Sequence, residues 1–189
     1  MANKEQLILN AAVEVFLKYG YKKTSIDDIA THAKIGKGTV YNYYQSKEAL
    51  FFKMADYNQE IMERDFQVAL KHYQGKSDPL INYTIVRQLE SRKMIAKYSM
   101  NVEVIAELVE IFQNKPDKVE VHIQYYIDIL IEGVKSGRYT PADHRKQAMI
   151  LLDITTQFLF KWLALNEKEM EKEVKNIFGV LLNGIVVKS

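Results

Sequence analysis

The stretch Thr24–Tyr44, "TSIDDIATHAKIGKGTVYNYY", decides how the whole chain is read. Its Gly36-Lys37 pair invites comparison with a phosphate-cradling loop. That loop needs G-x-x-x-x-G-K-[ST] after a buried strand, so that backbone N–H groups wrap the phosphates while the lysine and hydroxyl meet phosphate and magnesium. Here position 31 is Thr, position 38 is Gly, and no strand-like run comes before, so the loop reading fails. As a helix starting at Gly36, the segment turns by about 100° per residue and sorts its side chains cleanly. Val40 and Tyr44 fall on one side, Gly38, Thr39 and Asn42 on the other. The first side can close onto Ile29, Ala30, Ala33 and Ile35; the second is small and polar, suited to close approach to another surface.

Just upstream, Thr24-Ser25 offers an N-cap, and Asp28 stands three residues beyond Ser25 in the capping-box position. A short helix through Ile29, Ala30 and Ala33 follows, so two short helices meet at a tight turn. This is the layout of a helix-turn-helix, whose second helix enters the major groove. On that reading Asn42 pairs with an adenine edge, Lys37 with guanine, and the Thr39 methyl with a thymine methyl, while Lys47 opens the next helix facing a phosphate. The chain has no arginine before Arg64, so guanine reading falls to Lys37, with DNA shape expected to supply further selectivity.

Further outward, the pattern is helical throughout. The 189 residues are 48% hydrophobic and 26% charged, an ordinary globular composition able to bury a sizeable core. With no cysteine, disulfide scaffolds, zinc ribbons and thiol nucleophiles are excluded. Lys4, Glu5, Asn10 and Glu14 interrupt the N-terminal apolar run, so no signal peptide or membrane span is expected and the cytoplasm is the expected location. Net charge is only +2, and the first fifty residues carry seven lysines against five acids, placing the basic surplus beside the motif.

Apolar residues recur every three or four positions. Helix one carries Leu9, Ala12, Val13, Phe16 and Leu17 and stops at Tyr19-Gly20; Ser46 caps a long helix with Leu50, Met54, Tyr57 and Ile61. Breaks at residues 75–79, 114–117 and 136–141 predict helices over 79–99, 101–113, 117–135, 142–165 and 168–187. Residues 149–165, "MILLDITTQFLFKWLAL", are apolar on two faces: Leu151, Ile154, Phe158, Trp162 and Leu165 on one, Leu152, Leu159 and Leu163 on the other. One face serves the core and the second needs another partner. The last helix repeats the pattern with Val174, Ile177, Phe178, Leu181, Leu182 and Ile185.

The run Ala11–Leu50 resembles the DNA-binding domain of the tetracycline-repressor (TetR) family. The resemblance rests on Phe16, Tyr19-Gly20-Tyr21, Thr24-Ser25-Ile26, Asp28-Ile29-Ala30, Gly38-Thr39-Val40-Tyr41, Tyr44, Ser46-Lys47-Glu48 and Leu50. It implies an all-α protein: a three-helix DNA-binding domain at 1–47, joined by the long helix to a larger helical effector-binding and dimerisation domain at 48–189. It puts Lys37, Gly38, Thr39, Tyr41, Asn42, Tyr43 and Lys47 at DNA-facing positions and Thr24 and Ser25 near the DNA backbone. Tyr41 has two readings, packing and phosphate contact. In the turn, Lys34 stands where the family has glycine, so either a lysine adopts the left-handed conformation at roughly 1–2 kcal/mol or the turn is shifted.

The resemblance also implies a ligand-responsive regulator, chiefly a repressor: a homodimer through the last two helices, on a palindromic operator with recognition helices roughly 34 Å apart. It places an effector pocket among the middle helices, where Tyr83, Met94, Tyr98, Met100, Phe112, Tyr125, Tyr126, Phe158 and Trp162 are the candidate ligand contacts. Each of these residues has core packing as its other reading. Because no cluster of Arg or Lys accompanies them, the expected effector is apolar or aromatic. The rival reading is a small helical enzyme or lipid-handling module that keeps the helix-turn-helix as scaffold. His32, His72, His122 and His144 are scattered, with no metal-binding spacing, so neither a catalytic centre, a metal nor a cofactor is expected. Glu103, Glu107 and Glu110 share a helical face, read as a solvated stripe with a hard-cation or acid-base site as the alternative.

Overall fold

The computed structural model describes residues 3–73, 75 and 77–185, with the side chains of 116–118 and 183–185 left aside. The described residues form ten helices and no strand: α1 Lys4–Tyr19, α2 Ile26–His32, α3 Lys37–Tyr43, α4 Lys47–His72, α5 Pro79–Tyr98, α6 Val102–Gln113, α7 Pro116–Lys135, α8 His144–Gln157, α9 Leu159–Leu163 and α10 Glu167–Ile185. They fall into two compact units, Met1–Gln67 with Lys93–Ile111, and Val68–Arg92 with Phe112–Ser189.

In the first unit, the expected stripe of α1 is inside: Leu9, Ala12, Val13, Phe16 and Leu17 are all buried. Phe16 meets the Phe51 ring edge-on at 5.1 Å, and Tyr21 meets Phe51 at 4.9 Å, so an aromatic cluster ties α1 to the start of α4. Edge-to-face pairs of this kind add about 0.5–1.5 kcal/mol beyond area burial. Gly20 ends α1 with φ +87 and its N–H donates to the Phe16 carbonyl at 2.9 Å. The capping box of α2 is complete: Ser25 Oγ accepts from the Asp28 N–H at 3.2 Å while the Asp28 carboxylate accepts from the Ser25 N–H at 2.8 Å.

The turn between α2 and α3 keeps its lysine in the left-handed conformation, with Lys34 at φ 56. The neighbouring bonds explain the tolerance: Lys34 N donates to Thr31 O at 3.1 Å and Ile35 N to Ala30 O at 3.0 Å, closing the end of α2 around it. Lys34→Gly is therefore expected to raise stability by about 1 kcal/mol, seen as a higher urea midpoint; an unchanged midpoint would mean the turn holds no strain.

The second unit is built on Tyr83, Tyr126, Leu130, Leu151, Trp162, Val174 and Phe178, all buried. Asp78 caps α5, its carboxylate accepting from the Leu80 N–H at 2.9 Å with Pro79 at the first helical position. It also accepts from the Tyr139 hydroxyl at 2.5 Å, pinning the loop after α7 to the start of α5. Arg145 grips Glu120 through two bonds of 2.5 and 2.7 Å, bracing α8 against α7.

One expected helix proves to be two. In place of a single helix over 142–165, α8 ends at Gln157 and α9 resumes at Leu159, with Phe158 between them. The hydroxyls of Thr155 and Thr156 both donate to the Leu152 carbonyl at 2.9 Å, one turn before the interruption, while Phe158 N still donates to Ile154 O at 3.0 Å. The expected end of the last helix at 187 lies outside the described residues, as does the Ile185 side chain. No described helix is long and apolar enough to cross a membrane.

Candidate nucleic-acid interface

Two tiers of contact hold α3 in place. Val40 is fully buried beneath it, and Tyr44, also buried, donates its hydroxyl to Glu5 at 3.1 Å. Burial and the Glu5 carboxylate push the Tyr44 hydroxyl pKa well above the ordinary tyrosine value, so it stays a donor. The opposite face carries Lys37, Gly38, Tyr41, Asn42 and Tyr43, all exposed, with Thr39 half-buried beside them. Tyr41 and Tyr43 leave 44% and 43% of their surface in solvent, an unusual display for large aromatic residues on a seven-residue helix. A Cβ added at Gly38 would meet no protein atom within 4 Å, so nothing inside the chain requires glycine there.

The lysines are positioned by partners the sequence does not announce. Lys37 Nζ donates to Asp27 at 2.7 Å, and that bond raises the lysine pKa. One of its three protons is engaged, leaving two for another acceptor. Lys47 Nζ donates to the carbonyls of Tyr21 and Thr24, both at 3.0 Å, and lies 4.4 Å from the centre of the Tyr21 ring. Its ammonium thus braces the loop between α1 and α2 as well as standing at the start of α4.

Thr24 departs from its expected position at the DNA backbone. Its side chain is withdrawn, only 3% exposed, with its hydroxyl donated to the Gly20 carbonyl at 2.7 Å. A hydroxyl close to a chain reversal finds a local carbonyl more readily than a distant phosphate. Ser25 remains exposed, but its hydroxyl caps α2 and donates to Asp28 at 2.6 Å, and the two Ser25 bonds hold the Asp28 carboxyl below its ordinary pKa.

A model of the family described as "Bacterial regulatory proteins, tetR family" matches residues 8–54, the segment that builds this face. The uncharacterized HTH-type transcriptional regulator YhgD of Bacillus subtilis (strain 168) is 30% identical over 201 residues, spanning 98% of this chain and 96% of its own. The chain belongs to the TetR family. It is a DNA-binding transcriptional regulator of the helix-turn-helix type. The fatty acid metabolism regulator protein of the same Bacillus is 26% identical over 199 residues, covering 96% of this chain and 95% of its own. Among solved structures, FadR from Bacillus halodurans shares the fold with a TM-score of 0.66 at 17% identity, covering 100% of this chain and 99% of its own. FadR from Bacillus subtilis, solved in complex with stearoyl-CoA, shares it with a TM-score of 0.62 at 19% identity, covering 95% and 98%.

In this TetR-family regulator the nine candidate ligand contacts divide between the two units. Tyr83, Tyr125 and Tyr126 form a ring cluster in the second unit, with centroids 5.8 and 5.1 Å from Tyr83, and Phe158 stacks on Trp162 at 5.7 Å. Phe112 is half-buried in the same unit. Met94, Tyr98 and Met100 belong to the first: the Met94 sulfur faces the Asn58 amide at 3.9 Å, Met100 is buried, and Lys97 lies 5.0 Å from the Tyr98 ring centre.

The glutamates of α6 have specific partners. Glu107 accepts from the Lys22 backbone N–H at 2.9 Å, Glu103 from Lys23 Nζ at 3.1 Å, and Glu110 lies 3.9 Å from Lys22 Nζ. Among the described residues no cluster could hold a metal ion. Glu103 and Glu110 keep 78% and 71% of their side-chain surface in solvent, so the stripe is solvated as well as paired with lysine. It fastens α6 to the loop before the helix-turn-helix. Sequence reasoning missed this because the partners stand about eighty residues apart, beyond the reach of any local pattern.

Proposed function

We propose that this regulator is a repressor, which binds a palindromic operator as a homodimer in the cytoplasm and is released by a small, largely apolar effector. The observation that carries the DNA part is the exposed face of α3, where glycine occupies a position whose Cβ would meet only open space. Gly38 is the second residue of α3, so it bears part of the roughly 1 kcal/mol that glycine costs relative to alanine in a helix interior. A residue retained at that cost, with no internal reason, fits close approach of a duplex.

Lys37, Thr39 and Asn42 read base edges, Gly38 lets the helix sit close, and Tyr41, Tyr43, Ser25 and Lys47 meet the phosphate backbone. Residues 1–47 form the DNA-binding part and 48–189 the effector and dimerisation part. Dimerisation runs through α8 and α10, where Met149, Ile150 and Val180 leave large apolar surface exposed. Fatty-acid regulators among the relatives support an acyl chain as the body of the effector. Release requires only that the effector bind the DNA-free conformation more tightly than the DNA-bound one; equal affinity would shift nothing. A tilt of α4 that changes the spacing of the two recognition helices is the motion proposed.

Gly38→Ala is the test. It is expected to raise the thermal midpoint slightly, since it removes a helix glycine, while weakening selected-operator binding by roughly tenfold or more, about 1.4 kcal/mol. Fluorescence anisotropy on an operator selected from a random-duplex library reads the second effect. Unchanged operator affinity in the stabilised variant would detach α3 from DNA and defeat the proposal.

A further inference from the structure

Guanine is most often read by the fork of an arginine, and this chain has no arginine before Arg64. The task falls to Lys37, and a lysine ammonium is a point charge on a flexible stem, drawn to any phosphate within reach. The structure gives it a holder. Asp27, in the first turn of α2, reaches across the turn at Lys34 and accepts from Lys37 Nζ at 2.7 Å. The Asp27 and Lys37 side chains keep 62% and 49% of their surface in solvent, so the pair lies open beside the outward residues of α3.

An acid at this place needs a reason. DNA phosphates repel it, an exposed ion pair adds little stability, and Asp28 already completes the capping box at that end of α2. Its placement beside the ammonium supplies one. Guanine O6 and cytosine N4 are hydrogen-bonded to each other, so they stand about 2.9 Å apart on the major-groove edge of their base pair. The Lys37 ammonium and the Asp27 carboxylate stand 2.7 Å apart, nearly the same spacing with donor and acceptor interchanged. The protons also match. Lys37 carries three and gives one to Asp27, so two remain for guanine O6 and N7. The carboxylate has roughly four acceptor sites and uses one on Lys37, so it is free to accept from cytosine N4.

We propose that Asp27 determines operator specificity: it holds Lys37 off the phosphates and forms with it a two-residue reader of one G·C pair in each half-site, guanine beneath Lys37 and cytosine beneath Asp27. This rests on the reading above that α3 meets base edges, and it adds a contact from α2. The groove patterns of the other base pairs rank them behind G·C. T·A, with thymine beneath the lysine, keeps O4 for the ammonium and adenine N6–H for the carboxylate but puts a methyl group where N7 stood, so it comes second. A·T and C·G set an amino group against the ammonium and a carbonyl oxygen against the carboxylate, so they come last.

Selection of a random-duplex library by the full chain, with sequencing of the bound DNA, gives the base preference at every operator position. The unaltered chain is expected to show a position in each half-site ordered G·C, T·A, then A·T and C·G, with G·C ahead of the last two by about tenfold or more. Lys37→Met and Asp27→Asn are each expected to flatten that same position to about threefold or less while the other positions keep their order. The double variant should flatten it no further, as for two groups acting as one unit. Asp27→Ala, which neither accepts nor donates, is the second variant at that residue and is expected to act alike. Asp27→Asn should also bind random duplex more tightly, with a log–log salt slope steeper by about one per protomer, because the released lysine takes a phosphate. A merely structural Asp27 would weaken all positions together and leave the slope unsteepened, which overturns the proposal. So does a position flattened by Lys37→Met that both Asp27 variants leave intact, or an A·T-first order at the shared position; in either case α3 still reads bases. If neither Lys37→Met nor Asn42→Ala changes any position, the reading of α3 falls as well.

Discussion

Gly20→Ala is expected to cost about 3 kcal/mol of stability, with roughly 1–3 kcal/mol from backbone strain and the rest from a steric clash. Gly20 sits at φ 87, ψ 162, a region open in practice only to glycine. An added Cβ would also fall against Glu107 Oε2, well inside the 3.0 Å that real Cβ atoms respect, with Val104 at 3.5 Å. That carboxylate is not free to swing aside without loss, because its other oxygen accepts from the Lys22 N–H at 2.9 Å. Urea denaturation should show the loss. Adding Glu107→Ala should recover only the steric part, since the dihedral strain does not depend on α6. Full recovery in the double variant would mean the backbone is not strained, and no loss in the single variant would mean α6 does not press on this turn. Operator affinity should also fall in the single variant, because the loop it disturbs carries both carbonyls held by Lys47.

Acid should weaken the second unit well above the carboxylate range. Burial, assisted by the charge of Arg87, lowers the His122 pKa from 6.5 to about 3. The folded chain therefore keeps this ring neutral where the unfolded chain protonates it. Stability from this source is complete above pH 6.5 and is lost as pH falls from there toward the folded pKa. The slope approaches 1.4 kcal/mol per pH unit, so roughly 3 kcal/mol is gone by about pH 4. Asp28 and Glu120, with pKa values already held below the ordinary carboxylate range, lose their partners only at lower pH, so neither contributes to the fall between pH 6.5 and about 4.5. His122→Phe should flatten the urea midpoint across that interval; an equally steep fall would place the proton elsewhere.

How much was legible depended on the range of the interaction. The capping box of Ser25 and Asp28, the glycine stop at Gly20, the inward stripe of α1 and the burial of Val40 and Tyr44 all depend on residues a few positions apart, and all stand in the structure. Local patterns carry such features because helix periodicity and capping act over one or two turns. Thr24 was misread for a related reason: hydroxyl side chains bond to nearby carbonyls, and their choice among local acceptors does not follow from spacing.

By itself the sequence determined the all-helical class, the helix-turn-helix and its outward residues, and the family, because these follow from short-range pattern and a contiguous motif. Tertiary structure alone decided which lysines are braced, with Lys37 on Asp27 and Lys47 on two carbonyls, and turned the α6 glutamates into a clasp on Lys22 and Lys23. It also decided that Gln88, His122, Arg92 and Trp162 each bury a polar atom away from any hydrogen-bond partner. Charge pairing and burial depend on which distant segments meet, and no periodicity along the chain encodes that.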